Sequence, residues 1–181
     1  FRTKHKYDNV FLVSGEERSG KSHTAIRLAM RLDPSFDESR IIFDVHDELD
    51  DALLTLSEPG RVVIIDEAGR EINARSWSKR EQKELVTKFQ VFGKLGMTVI
   101  LVMPRMSYLD SAIRDTRLKF WLRVMAKNNG KDRGFVFWSQ AQRNDYDNDT
   151  WWAHRIAGKL RDPNKIPEVA AMIAKYEKKK D

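Results

Sequence analysis

Residues Gly15, Glu16, Glu17, Arg18, Ser19, Gly20, Lys21 and Ser22 satisfy the spacing G-x-x-x-x-G-K-[ST], between an apolar strand pattern and a helical one. That context is the one a phosphate-cradling loop requires. The glycines let the backbone curl so that its N–H groups point at phosphate oxygens, and the following helix adds partial positive charge at its N-terminus. On this reading the loop binds a nucleotide, with His23 the next residue of the site on the helix. Lys21 neutralises the β- and γ-phosphates and so shares in catalysis, while Ser22 offers its hydroxyl to Mg²⁺, a hard ion that takes oxygen ligands.

A second chemical signal is the apolar run Val62, Val63, Ile64, Ile65 ending in two carboxylates, Asp66 and Glu67. If this strand neighbours the one before the loop in a parallel sheet, Asp66 stands beside the phosphates and holds Mg²⁺. Glu67 follows directly and is placed to polarise an attacking water, which predicts hydrolysis rather than storage of the nucleotide. An isolated Asp-Glu pair more often caps a strand at the surface; downstream of a phosphate loop the functional reading is preferred. The chain has no Asn-Lys-x-Asp to read a guanine base, Asn129, Gly130, Lys131, Asp132 being only superficially close, so ATP is expected over GTP.

These residues need a scaffold, and the hydrophobic pattern supplies one. Strand-length apolar runs fall at residues 9–14, 41–45, 62–66, 98–103 and 120–125, separated mostly by helical patterns at 20–32, 46–56, 78–95, 108–114 and 167–178. Such alternation predicts an α/β fold, a three-layer arrangement around a mainly parallel, covered sheet. Ser78 with Glu81 forms a capping box ahead of Leu85, Val86, Phe89 and Phe92 at helical spacing. The runs at 120–125 and 135–139 flank Asn128, Asn129, Gly130, whose Asn-Gly pair favours a hairpin at one sheet edge. The expectation is a single domain over residues 1–181, its core at about 9–125 and its C-terminal hairpin and helices at about 126–181.

Bulk properties fit that frame. The chain has 181 residues, 41% hydrophobic and 33% charged, enough for one sizeable core. It has no cysteine, which excludes disulfides and thiolate metal sites. His5, His23, His46 and His154 lack the spacing of a zinc site. No apolar stretch approaches the roughly 20 residues that span a bilayer, so a soluble protein is expected, and with no cysteine pointing to an oxidising compartment its expected place is the cytoplasm, the host's if the protein is viral. A net charge of +6 favours an anionic partner. Arg114, Arg117, Lys119 and Arg123, then Lys127, Lys131 and Arg133 at the hairpin, could contact nucleic-acid phosphates without reading sequence. A solvated hairpin tip accounts for the latter group equally well. Trp138, Trp151 and Trp152 could stack bases but are better read as core or subunit interface, and Lys178, Lys179, Lys180 as a solvated end.

Taken together, residues 15–22, 62–67 and the Gly96-led run to Pro104 resemble the additional-strand, catalytic-glutamate branch of P-loop ATPases. Within it, Asp66, Glu67, Ala68, a long helix, and Leu109 to Arg114 are similar to FtsK/HerA-type DNA pumps and to zonula-occludens-toxin-like phage assembly ATPases. Those families commonly end the fourth strand in a polar sensor, where this chain has Met103, Pro104 and Arg105. Their ring-forming members also complete each site with an arginine from a neighbouring subunit. Arg80, Arg105, Arg114 and Arg117 are candidates here, with Arg105 and Arg114 placed first, although each is more often a surface charge or an ion-pair partner.

The resemblance thus implies a homo-oligomer, a hexameric ring or related assembly, that couples ATP hydrolysis to movement of DNA without sequence preference. The alternative it carries is an assembly ATPase acting on a protein partner at a membrane. A small P-loop kinase shares the loop, but an acidic pair arranged to use water argues against transfer to a hydroxyl substrate.

Overall fold

The structure is a computed structural model, and it describes residues 9–43, 48, 59–66, 79–127, 132–143, 150–160, 162 and 165–180. Strand β1 (Asn9–Gly15) leads through the loop into helix α1 (Lys21–Leu32). Strands β2 (Ile41–Ile42) and β3 (Val62–Ile65), helix α2 (Lys79–Leu95) and strand β4 (Thr98–Met103) follow. Then come helix α3 (Ser111–Thr116), strands β5 (Leu118–Lys127), β6 (Asp132–Arg143) and β7 (Thr150–Lys159), and helix α4 (Pro167–Lys180).

All seven strands form one sheet in the order β2-β3-β4-β1-β5-β6-β7. The pairs from β2 through β5 are parallel, and β5–β6 and β6–β7 are antiparallel. This is the expected α/β architecture. In the parallel half the strands are buried along their length, as in β4, because helices cover both faces. Alternate residues feed two cores. Val10, Leu12, Val63, Ile65, Val99 and Leu101 pack with Phe89 and Phe92 of α2 and Ile113 of α3. Phe11, Val13, Ile64, Ile100 and Val102 pack with Ala25, Ile26 and Ala29 of α1 and with Met172, Ile173 and Tyr176 of α4. Helices α1 and α4 therefore share one face, and α2 and α3 the other.

Two sequence expectations are modified. Strand β4 stands between β1 and β3, so the strands that carry the loop and Asp66 are not direct neighbours. The helix expected at 108–114 is split: a 3-10 turn covers Met106–Tyr108, and α3 begins at Ser111 because the Asp110 carboxylate accepts from Ala112 N–H at 2.8 Å. The expected edge hairpin is present as paired β5 and β6, with Lys127 opposite Asp132, and its turn lies outside the described residues. A third antiparallel strand, β7, extends that edge and includes Trp151 and Trp152, opposite Gln142 and Ala141. The helix expected at 46–56, and Ser78 of the capping box, also fall outside the described residues.

Candidate functional site

The loop after β1 lies at the carboxyl edge of the parallel strands. Gly15 N–H donates to the Pro104 carbonyl at the end of β4, 3.2 Å away. Gly15 also faces Val124 of β5, and a Cβ there would sit 2.1 Å from the Val124 carbonyl oxygen, so no larger residue fits. Just below, Ser14 Oγ accepts from Trp121 Nε1 at 2.7 Å, a brace from β5 to the base of the loop.

The loop turns through left-handed backbone at Arg18 (φ 59) and Gly20 (φ 95). Glu16, Glu17 and Arg18 are exposed, whereas Ser19 is fully buried and its hydroxyl has no hydrogen-bond partner among the described residues. Gly20 is the N-cap of α1 and gives no side-chain cap, and the helix has no acidic residue in its first turn. Its first N–H groups and dipole are thus not satisfied by a carboxylate of the chain's own first turn, the condition for binding an anion there. Thr24 Oγ1 donates to the Gly20 carbonyl at 2.8 Å and fixes that first turn. Lys21 Nζ reaches back across the loop and donates to the Glu16 carbonyl, 2.7 Å away.

Asp66 follows β3 and is 2% exposed. Its backbone N–H is held by the Ile42 carbonyl at 2.9 Å. Although β4 intervenes, the carboxylate meets the first turn of α1: Ser22 Oγ donates to Asp66 Oδ1 at 3.3 Å. The other oxygen, Oδ2, accepts from the Tyr176 hydroxyl of α4 at 2.5 Å. Burial, the Asp66 charge and this hydrogen bond push the Tyr176 hydroxyl up to about 12.

The structure therefore brings together Gly15 through Ser22 and Asp66. The His23 ring lies 3.3 Å from Glu177 of α4. Arg105 is exposed immediately after Pro104 at the same sheet edge. Arg114 makes a two-pronged ion pair with Asp115 at 2.8 and 3.1 Å, and that hydrogen bond holds its guanidinium above the ordinary arginine value. Glu67 lies outside the described residues, as do the side chains of Arg80, Lys127, Lys131 and Arg133. The C-terminal lysines are more engaged than a solvated end: Lys179 Nζ donates to the Ile41 carbonyl at 2.6 Å and Lys180 Nζ to the Tyr176 hydroxyl at 3.3 Å.

Tyr176 is the site residue that the sequence did not reveal. It continues the stripe Val169, Met172, Ile173, which at helical spacing signals only a buried face.

The chemistry fits a magnesium ion. Ser22 and Asp66 present two hard oxygens together, and Mg²⁺ is typically held by one or two protein groups with the rest of its shell from phosphate and water. Among the described residues no three His, Asp or Glu side chains cluster as a self-sufficient metal cage, so the phosphates of a bound nucleotide would have to complete the shell.

A parallel sheet, a glycine-cornered loop opening α1, and an aspartate meeting the loop's last hydroxyl define a P-loop NTPase fold. The model of the zonular occludens toxin (Zot) family matches residues 46–128, a stretch that contains Asp66 and β3 through β5 and leaves out the phosphate loop. The resemblance to zonula-occludens-toxin-like ATPases is thus shown over that stretch. Solved structures of similar fold include the N-terminal domain of zonular occludens toxin from Neisseria meningitidis, 15% identical over 84% of this chain and 96% of that one, TM-score 0.46. The genome packaging NTPase B204 from Sulfolobus turreted icosahedral virus 2, in complex with sulfate, is 12% identical over 86% and 99%, TM-score 0.44. The DNA-packaging ATPase B204 from Sulfolobus turreted icosahedral virus is 15% identical over 83% and 98%, TM-score 0.44. No curated protein matches the chain. No helix among the described residues is long and apolar enough to cross a membrane.

Proposed function

We propose that the protein is a Mg²⁺-dependent ATPase of viral or phage assembly, an oligomer that uses hydrolysis to translocate or package DNA. The observation that carries the ATPase reading is the 3.3 Å contact between Ser22 of the phosphate loop and Asp66 across the intervening strand. Backbone N–H groups of the loop and α1 bind the β- and γ-phosphates, and Lys21 swings from the Glu16 carbonyl onto them. Ser22 and Asp66 would hold the cation, which would neutralise charge on the phosphates. Glu67, next in sequence to Asp66, orients and deprotonates the attacking water. Arg105, exposed at the site's edge, is the better placed of the two arginines to serve a neighbouring subunit, since Arg114 is committed to Asp115.

The DNA reading is supported by the net charge of +6 and by the basic residues Lys119 and Arg123 on β5. A second reading, an assembly ATPase that acts on a protein partner at a membrane, is favoured by the match to the zonular occludens toxin family.

One experiment tests both. Steady-state ATP hydrolysis with Mg²⁺ is measured with and without double- and single-stranded DNA over a salt series, for the native chain and for Glu67→Gln. A DNA-stimulated rate that falls with salt and is lost in Glu67→Gln is expected, because phosphate contacts release counterions. A rate that persists in Glu67→Gln removes Glu67 from the mechanism. A rate indifferent to DNA favours the protein-assembly reading.

A further inference from the structure

We propose that Tyr176 is a positioning residue for the divalent cation: its hydroxyl locks the Asp66 carboxylate so that Oδ1 stays turned to Ser22 and the metal. The inference rests on the reading of Ser22 and Asp66 as the Mg²⁺ ligands, and it adds a residue 110 positions away in the chain, on the last helix.

Three observations carry it. Tyr176 is 3% exposed, and its hydroxyl meets Asp66 Oδ2 at 2.5 Å while Ser22 meets Oδ1, so the two oxygens are divided between two helices. The direction of the bond is fixed as well. Lys180 Nζ, 3.3 Å from the Tyr176 oxygen, can only donate, so the hydroxyl's single proton is directed to Asp66. Finally, the ring is held from several sides. It packs in the core shared with α1, its centroid 5.9 Å from that of Phe43, and α4 is tied to its surroundings by Glu177 to His23 and by Lys179 to the Ile41 carbonyl.

A carboxylate on a short side chain can rotate to offer either oxygen or both. A cation that needs near-octahedral geometry gains from having that rotation removed before it binds. Hydrogen bonds that orient metal ligands in this way change metal affinity by about 10- to 100-fold. Helix α4 thereby becomes part of the metal site without touching the metal.

The test replaces Tyr176 by Phe, which deletes the hydroxyl and keeps the ring. Mn²⁺ serves as the probe: its free concentration is followed by electron paramagnetic resonance during titration of the chain with a non-hydrolysable ATP analogue present. Binding of the same analogue in EDTA is measured separately. Met172→Ala, which loosens the same helix from the core away from Asp66, is the structural control. The expected result is Mn²⁺ affinity lowered about 10-fold in Tyr176→Phe with metal-free nucleotide affinity unchanged. Unchanged Mn²⁺ affinity would overturn the proposal. So would a parallel loss of metal and metal-free nucleotide binding in both variants, the mark of a merely structural role. Absence of nucleotide-dependent Mn²⁺ binding in the native chain would instead bring down the underlying assignment of Ser22 and Asp66, and this inference with it.

Discussion

Asp33 and Asp66 are buried carboxylates, 5% and 2% exposed, at opposite ends of the same strand, and they are held by different chemistry. At the amino end of β3, Asp33 Oδ2 accepts from Arg40 Nη1 at 2.5 Å and from Val62 N–H at 3.3 Å. Its Oδ1 accepts from the Ser35 hydroxyl at 2.6 Å and the Ser35 N–H at 3.0 Å, and Arg61 stands 3.7 Å away. At the carboxyl end, the hydroxyls of Ser22 and Tyr176 donate to Asp66. A carboxylate bound by guanidinium groups and backbone N–H closes a turn. One that accepts from hydroxyls at the mouth of a phosphate loop is oriented toward that loop. The parallel sheet thus has a structural end, where α1 returns to β2, and a chemical end, where its loops converge.

The largest expected effect separates the two ends. Asp66→Asn should weaken Mg²⁺-dependent nucleotide binding and hydrolysis by about 100-fold or more, with binding in EDTA little changed. Asp33→Asn should leave nucleotide binding intact wherever the protein is folded. Titration with a fluorescent ATP analogue, with and without Mg²⁺, checks both. Equal losses in the two variants would mean that Asp66, too, is a structural carboxylate.

Of the two carboxylates only Asp66 was legible in the sequence, and the illegible part has a physical pattern. The strands β1, β3 and β4 announced themselves because burial on both faces demands continuous apolar runs, as in Val62 to Ile65. The loop was legible because phosphate binding fixes glycines, a lysine and a hydroxyl at set spacing. Strand β7 was not, since its residues 150–159 mix Trp, His, Arg and Lys with small apolar residues, and its pairing with β6 is a tertiary fact. Neither the Asp33–Arg40 pair nor the Tyr176–Asp66 bond could be read, because nothing in a local pattern says which distant carboxylate a buried hydroxyl or guanidinium will meet. The position of Asp66 was anticipated through adjacent strands. The structure instead reaches it across β4.

The second effect is on stability. Removing the Asp33 charge leaves the buried Arg40 guanidinium with a weaker partner, and the expected cost is about 3 kcal/mol in Asp33→Asn, measured by urea unfolding at pH 7. The contribution should also depend on pH. Burial pushes the Asp33 carboxyl up, but the Ser35 hydroxyl and N–H and the Arg40 guanidinium together hold it below the ordinary carboxylate value. A group lowered in the folded state stabilises fully above its unfolded pKa, about 3.9, and loses that contribution as pH falls through the lower folded value. The gap between the native chain and Asp33→Asn should therefore narrow below about pH 4. A gap constant down to pH 2 would break the assignment of Asp33 as a charged clamp.

The smallest effect sharpens the comparison most. Ser35→Ala deletes one hydroxyl from the clamp and keeps the backbone N–H bond to Asp33 and the Arg40 ion pair. That hydroxyl donates to Asp33 Oδ1 and accepts from Arg40 Nη2 and Arg61 Nη1, and with about 0.5–1 kcal/mol for each such bond at an exposed residue, urea unfolding at pH 7 should register a loss of about 1–2 kcal/mol. Because this hydroxyl is among the causes that hold Asp33 down, the variant's acid transition should also move to higher pH, toward the ordinary carboxylate range. Its Mg²⁺-dependent nucleotide binding should be that of the native chain, since Ser35 lies by the end of β3 opposite Asp66. A shifted acid transition with unchanged metal-dependent binding would establish that the two ends of the strand work independently. A change in metal binding would mean that β3 transmits the state of one buried carboxylate to the other.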